Sequence, residues 1–316
     1  MRILVTGANG FVGSSLVERL AVAAGNDVRA AVREVPALKI DGVNYHAIGN
    51  VGSNTDWRDA LDGVQAVVHL AARAHVLNDD PASACGLFRE VNVAGAVSLA
   101  EQALAAGVKR FVFVSSIGVN GNVTREPFSE SSPVHPHAPY AESKYEAEQA
   151  LTKMLAGTAM ELVIVRPPLV YDADAPGNFK RLLGIVDKGI PLPFGLIYNR
   201  RSMISRANLV EILELCIAHP AAANELFLVA DGEDLSTGQI AKLLGQGMGR
   251  SVMLLPVPAF LLAWAAALVG RKSMYIQLCE SLQVDAGKVR RLLDWRPERS
   301  AEQQLHAAGK AYLVRK

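Results

Sequence analysis

Short apolar runs, mostly β-branched, alternate along the first half of the chain with stretches in which apolar positions recur every third or fourth residue. MRILVTG, DVRAAV, VNYHAI, QAVVHLAA, RFVFVSS and LVIVRPP read as strands; SSLVERLAVAAG and VNVAGAVSLAEQALAAG between them read as amphipathic helices. Strands separated by helices pair in parallel through right-handed crossovers. The pattern therefore predicts an α/β fold with a doubly wound parallel sheet.

After Pro167 and Pro168 the periodicity loosens. DADAPGNFKR, a helix and KGIPLPFGLIYNRRS follow, rich in Gly, Pro and basic residues, the composition of loops that build sites rather than cores. The strand-like ELFLVA at 225–230 predicts a return to the sheet before the C-terminal helices and the LLDWRP turn. No internal repeat, low-complexity tract or flexible linker separates the two parts, so the cleft between them is the expected site.

Composition narrows the function classes. With 316 residues, half of them hydrophobic, the chain can bury a large core as one large domain or two closely joined ones. A net charge of +1 gives no global field for nucleic acid or an acidic membrane, so an anion must be held by a local cluster. Cys85, Cys216 and Cys279 are far apart and lack metal-site spacing; they read as reduced core thiols, consistent with a cytoplasmic protein. MRILVTGANG runs straight into a strand and turn and is not a signal peptide. The uncharged stretch Ser251–Gly270 is interrupted by Pro256 and Pro258, which leave about Ala259 to Val269 for a helix, short of the roughly 20 residues of a membrane span. A buried or interface helix is expected there, without membrane contact.

VTGANGFVG sets Gly7, Gly10 and Gly13 between the first strand and first helix. Chemistry needs a tight turn there, and a bare backbone over which a pyrophosphate can approach the free N–H groups of the helix N-terminus. Further motifs follow in order: HLAA at 69–72, Asn92 in VNVAGAV, VSS at 114–116, Tyr140 with Lys144 in YAESK, and RPPLVY at 166–171. With these the chain resembles the extended short-chain dehydrogenase/reductase superfamily, in its NAD(P)-dependent nucleotide-sugar epimerase and dehydratase branch.

That resemblance implies a Rossmann dinucleotide-binding domain over 1–167, revisited around 202–232, with 168–201 and 233–316 forming mainly a substrate-binding part. It implies cofactor contacts from Gly7, Asn9, Gly10, Phe11, Val12, Leu70, Ala71, Ala72, Asn92, Ser115, Tyr140, Lys144 and Pro167. At the end of the second strand, where relatives present an acid to the ribose of NAD, Val32 and Arg33 stand instead. Arg33 therefore predicts a preference for NADP(H), with NAD(H) as the alternative. Near the adenine, where relatives have Asp followed by an apolar residue, this chain has Asn50 followed by Val51; Asn50 still accepts a hydrogen bond.

Tyr140 and Lys144, four apart on a predicted helix, share one face. A tyrosine acting near pH 7 needs its pKa of about 10 lowered by about three units, which an adjacent ammonium and the positive nicotinamide would favour. Tyr140 then exchanges the proton, and Ser116 holds the reacting oxygen. In sugar dehydratases an acidic pair follows that serine, whereas here Ile117 and Gly118 follow and cannot transfer protons. Dehydration is thereby disfavoured, and the two residues are expected to shape the pocket.

Arg73, Ser116, Ile117, Gly118, Asn178 and Arg201 are the implied substrate contacts, with Asn178 and Arg201 on the nucleotide diphosphate. Arg200, Arg206, Arg250 and Arg271 are further cations, and His75 is placed over the cofactor or left without a role. His135 and His137 lack a third metal ligand. The run of motifs looks most like 4-keto reductases of UDP-N-acetylquinovosamine type, which predicts NADPH-dependent reduction of a UDP-4-keto-6-deoxy sugar for surface polysaccharide. A UDP-hexose or UDP-N-acetylhexosamine 4-epimerase with tightly bound NAD is the alternative, and a non-catalytic NADP sensor the third. A homodimer through the helices that include Asn92 and Tyr140 is expected.

Overall fold

A computed structural model describes residues 1–74 and 81–315, those at 81–84 by backbone alone. The six strands predicted in the first half are β1 (Arg2–Thr6), β2 (Asp27–Val32), β3 (Val43–Ala47), β4 (Ala66–His69), β5 (Arg110–Val114) and β6 (Glu161–Arg166). A short parallel pair of β7 (Leu169–Tyr171) and β8 (Met203–Ser205) follows, and β9 (Leu226–Leu228) closes the main sheet. The sheet has seven parallel strands in the order β3-β2-β1-β4-β5-β6-β9.

Strand order reverses between β1 and β4, where crossovers leave to opposite sides and a crevice opens beyond the carboxyl ends of the strands. Helices cover both faces. One apolar layer packs β1, β2 and β4–β6 residues against helices Gly13–Val22 and Arg206–Ala218; the other packs the opposite face against Gly95–Ala105 and Pro139–Leu155. That burial on both sides is why the strands read as continuous apolar runs. A third cluster, around Phe179, Leu183, Leu244 and Leu305, lies beneath the later helices.

Of the two placements expected for the uncharged stretch, buried or at an interface, the structure excludes the first. The helix Ala259–Leu268 forms where the two prolines allow it, but it is not buried: only Ala266 is enclosed, and Phe260, Leu261, Trp264 and Leu268 are exposed. Among the described residues no helix is long and apolar enough to cross a membrane.

Candidate active site

The turn after β1 works only with glycine. Gly7 has φ +64°, and a Cβ there would come within 2.9 Å of the Ala71 backbone nitrogen. A Cβ on Gly13 would meet the Gly7 carbonyl oxygen at 2.1 Å, so the helix start lies flat against the turn. Gly10 N donates to Gly7 O at 2.9 Å, closing the loop. Val12, the N-cap of helix Gly13–Val22, offers no side-chain hydrogen bond; Ser14 N donates to Gly10 O at 3.0 Å, and the other N–H groups of the first turn are left for an anion.

The chain leaving β4 passes directly over Gly7, held by a relay the sequence motifs did not reveal. Ala71 N donates to Thr6 Oγ1 at 3.1 Å, and Thr6 Oγ1 lies 2.8 Å from His69 Nδ1. The Thr6 hydroxyl thereby bridges the ends of β1 and β4, and which of Thr6 Oγ1 and His69 Nδ1 gives the proton is set by the imidazole tautomer. Burial, and then the Lys144 ammonium, push His69 down to about 3, so this ring is neutral. A type and spacing pattern carries no signal for such a contact between strand ends.

Leu70, Ala72, Gly7, Gly10, Phe11, Val12, Ser115, Ser116, Tyr140 and Pro167 converge on one cleft of about 300 Å³. Ser115 is buried and its Oγ has no hydrogen-bond partner, an orphan donor aimed at the cleft wall. Ser116 Oγ accepts from Gly118 N at 3.1 Å, capping a short turn over Ile117–Val119. Ile117 itself turns into the core and pairs its N–H with Pro167 O at 2.9 Å, so its side chain does not face the cleft. Gly118 sits among Ser116 Oγ, Ala141 Cβ and His137 Cε1, at 3.3, 3.4 and 4.0 Å from where a Cβ would be.

Asn92 is buried beside the cleft rather than lining it. Its Oδ1 accepts from Arg73 N at 2.8 Å, and its Nδ2 donates to Arg73 O at 3.1 Å and to Ser143 Oγ at 2.9 Å. Ser143 donates in turn to Tyr140 O at 2.8 Å. Asn92 thus ties the segment after β4 to the turn of helix that carries Tyr140. Behind it, Arg166 donates through Nε to Glu148 at 2.9 Å and through Nη1 to Asn120 at 2.9 Å, a buried pair that anchors the strand end before Pro167.

Tyr140 and Lys144 lie on one helix, Pro139–Leu155. Burial pushes the Tyr140 phenol up to about 12 and the Lys144 ammonium down to about 7. The protein alone does not lower the phenol as the sequence predicts: burial disfavours the phenolate. Lys144 is 1% exposed, with Nζ 4.0 Å above the Phe113 ring centroid.

The remaining positions are more dispersed. Arg33 is exposed at the end of β2; Asn50 is exposed, and Val51 packs where a Cβ on Gly95 would fall, 2.6 Å away. Asn178 is exposed and donates to Gln277, while Arg181 donates to it at 3.3 Å. Arg201 is half-buried, fixed by main-chain pairing to Leu235 and Leu282, and donates to Glu280 O at 3.1 Å. No described carboxylate pairs with it, and burial lowers its guanidinium to about 10. Arg206 and Arg250 are committed to Asp172 with Asp174 and to Asp187 respectively. Cys85, Cys216 and Cys279 are free thiols, and among the described residues no group of three metal-ligating side chains occurs. His75 lies outside the described residues.

A glycine cradle that any Cβ would fill, an uncapped helix N-terminus and an orphan serine hydroxyl fit an extended dinucleotide. Comparison with known proteins agrees. The profile of the NAD dependent epimerase/dehydratase family matches residues 3–222. A UDP-glucose 4-epimerase of Vibrio cholerae is 41% identical over 314 residues, 98% of this chain and 95% of its own. The N-acetyl-alpha-D-glucosaminyl-diphospho-ditrans,octacis-undecaprenol 4-epimerase of Escherichia coli O157:H7 is 29% identical over 307 residues, 91% of this chain and 88% of its own. In fold, a Bacillus cereus UDP-glucuronic acid 4-epimerase solved with NAD superposes with a TM-score of 0.80 at 20% identity, covering 100% of this chain and 99% of that one.

Proposed function

The chain belongs to the NAD dependent epimerase/dehydratase family, and from that premise we propose that it is an NAD-dependent 4-epimerase of a UDP-linked hexose. The observation that carries this reading is the 41% identity to a UDP-glucose 4-epimerase along nearly the full length of both chains. It displaces the reductase expected from the motifs, which shares the same serine, tyrosine and lysine and was favoured by Arg33. Arg33 is exposed at the end of β2; a 2′-phosphate contact from it remains the test of NADP(H) use.

The nicotinamide, when bound, supplies a hydride acceptor and then donor for the sugar C4. Every other part of the work falls to this chain. The Gly7–Gly13 turn and the Gly13–Val22 helix N-terminus hold the pyrophosphate. Ser115 and Pro167 line the cleft and would hold the nicotinamide ring. Ser116 holds the C4 oxygen, and Tyr140 takes and returns its proton. With the phenol at about 12 in the protein alone, the positive charge of Lys144 and of the oxidised cofactor is what makes Tyr140 a base. Gly118 keeps a side chain from pressing on Ser116 Oγ, which lies 3.3 Å from where its Cβ would be. Arg201, a desolvated cation whose guanidinium meets a backbone acceptor and no carboxylate among the described residues, suits the diphosphate, and Asn178 is its proposed second contact. The undecaprenol-linked substrate in the name of the Escherichia coli relative also joins sugar to lipid through a diphosphate, so the same clamp suits either carrier.

Incubation with UDP-glucose or UDP-N-acetylglucosamine should give the C4 epimer with no net change in absorbance of the cofactor. NADPH consumption confined to a UDP-4-keto-6-deoxy sugar, with no epimer formed, would restore the reductase.

A further inference from the structure

An apolar helix usually belongs in a core or against lipid, and the helix Ala259–Leu268 is in no core. Leu262 packs against the third apolar cluster, and Ala266, one turn on, is buried on the same face. Phe260, Trp264 and Leu268 form the opposite stripe at successive turns, with Phe260 70% and Trp264 65% exposed. Leu261 on this helix and Val269 just after it are also exposed, as are Met253 and Leu255 in the segment before it. A contiguous apolar patch of this kind marks a contact surface.

Charge says which contact. From Ser251 to Cys279 there is no Asp or Glu; the charged residues are Arg271 and Lys272, both exposed at the end of the helix and without an ion-pair partner among the described residues. Exposed Trp and Phe beside two uncompensated cations match an anionic lipid surface, where indole rings sit at the headgroup boundary and cations meet phosphates. A protein partner's apolar face would not call for that unbalanced pair. Ten residues of helix span about 15 Å, half the roughly 30 Å hydrocarbon thickness, so the element is suited to lying in the interface and not to crossing it.

We propose that the helix Ala259–Leu268, with Arg271 and Lys272, docks the protein on an anionic lipid bilayer surface. The next helix, Lys272–Cys279, carries Gln277, which accepts from Asn178, so docking would bring the edge of the candidate diphosphate site to the membrane. This inference does not depend on which sugar is turned over. It departs from the absence of membrane contact expected from sequence, which rested on the helix being too short to span a bilayer and did not weigh a helix lying on one.

Trp57 and Trp295 are buried, so a change in tryptophan emission on binding reports Trp264. The full-length protein should co-sediment with phosphatidylcholine vesicles containing phosphatidylglycerol, with a blue shift in emission, and about tenfold or more weakly with phosphatidylcholine alone. Phe260→Ser with Leu268→Ser should abolish sedimentation and leave turnover of a soluble UDP-hexose unchanged; Arg271→Glu with Lys272→Glu should remove the preference for phosphatidylglycerol. Failure of the wild type to bind either vesicle at low ionic strength overturns the proposal. So does a dimer in sedimentation velocity that Phe260→Ser with Leu268→Ser dissociates, since a second copy would then cover the face. A wild-type protein that binds the vesicles but does not epimerise a UDP-hexose would instead count against the epimerase reading alone.

Discussion

The Lys144 ammonium stands 4.0 Å above the centroid of the Phe113 ring, buried and without a carboxylate partner among the described residues. Desolvation outweighs the raising influence of Glu148 and holds its pKa at about 7 instead of the usual 10.5. Folding therefore opposes the charged form. The unfolded chain binds more protons between about pH 7 and 10.5, so this group's cost is fully present below pH 7 and is relieved as pH rises through that window. Lys144→Met should raise the melting temperature by several degrees at pH 6, with the gain fading towards pH 10.5, while turnover is lost. Thermal melts across that range check it; a variant less stable at pH 6 contradicts the assignment.

Gly13→Ala places a Cβ 2.1 Å from a backbone oxygen, which no rotamer change can relieve. A stability loss of about 1–3 kcal/mol and loss of NAD binding are expected, by denaturant titration and calorimetry. Gly25→Ala is the control. There φ is +84° but nothing lies within 4 Å, so about 1–2 kcal/mol of backbone strain should leave cofactor affinity intact.

Much of this architecture is legible in the sequence. Apolar alternation locates the six strands of the first half, and ELFLVA locates β9, because strands buried on both faces leave a strong local signal. The glycine turn is legible since a missing Cβ is itself the feature. The Thr6–His69–Ala71 relay and the Asn92–Ser143–Tyr140 link are not, because they join residues far apart in the chain through contacts that residue type does not specify. The Ala259–Leu268 helix was legible as a helix but not as exposed: composition records hydrophobicity and says nothing of what covers it. Reduction and epimerisation use the same side chains, so their difference is not written in those residues.

Asn92→Ala should test the link to Tyr140. It leaves Arg73 N without its partner, at a cost of about 1–3 kcal/mol, and frees the Tyr140 turn from the segment after β4. Turnover should fall more than substrate KM changes, and Asn92→Gln should not restore it. A full-activity variant would assign Asn92 no positioning role.

Arg201→Met removes a desolvated cation that has no described carboxylate to leave behind. KM for the UDP-sugar should rise about 10- to 100-fold, as expected for charge-assisted bonds to a diphosphate, without a fall in melting temperature. A marked loss of stability with KM unchanged would make Arg201 a structural residue.

The central claim is that hydride leaves the sugar C4 and returns to it. UDP-glucose deuterated at C4 is the most direct probe, read by NMR and mass spectrometry of the products. The account predicts UDP-galactose with deuterium retained at C4 and no net consumption of cofactor, and a rate reduced about a hundred- to ten-thousand-fold in Tyr140→Phe. Absence of the epimer, or an epimer whose C4 deuterium has been lost to solvent, would contradict it.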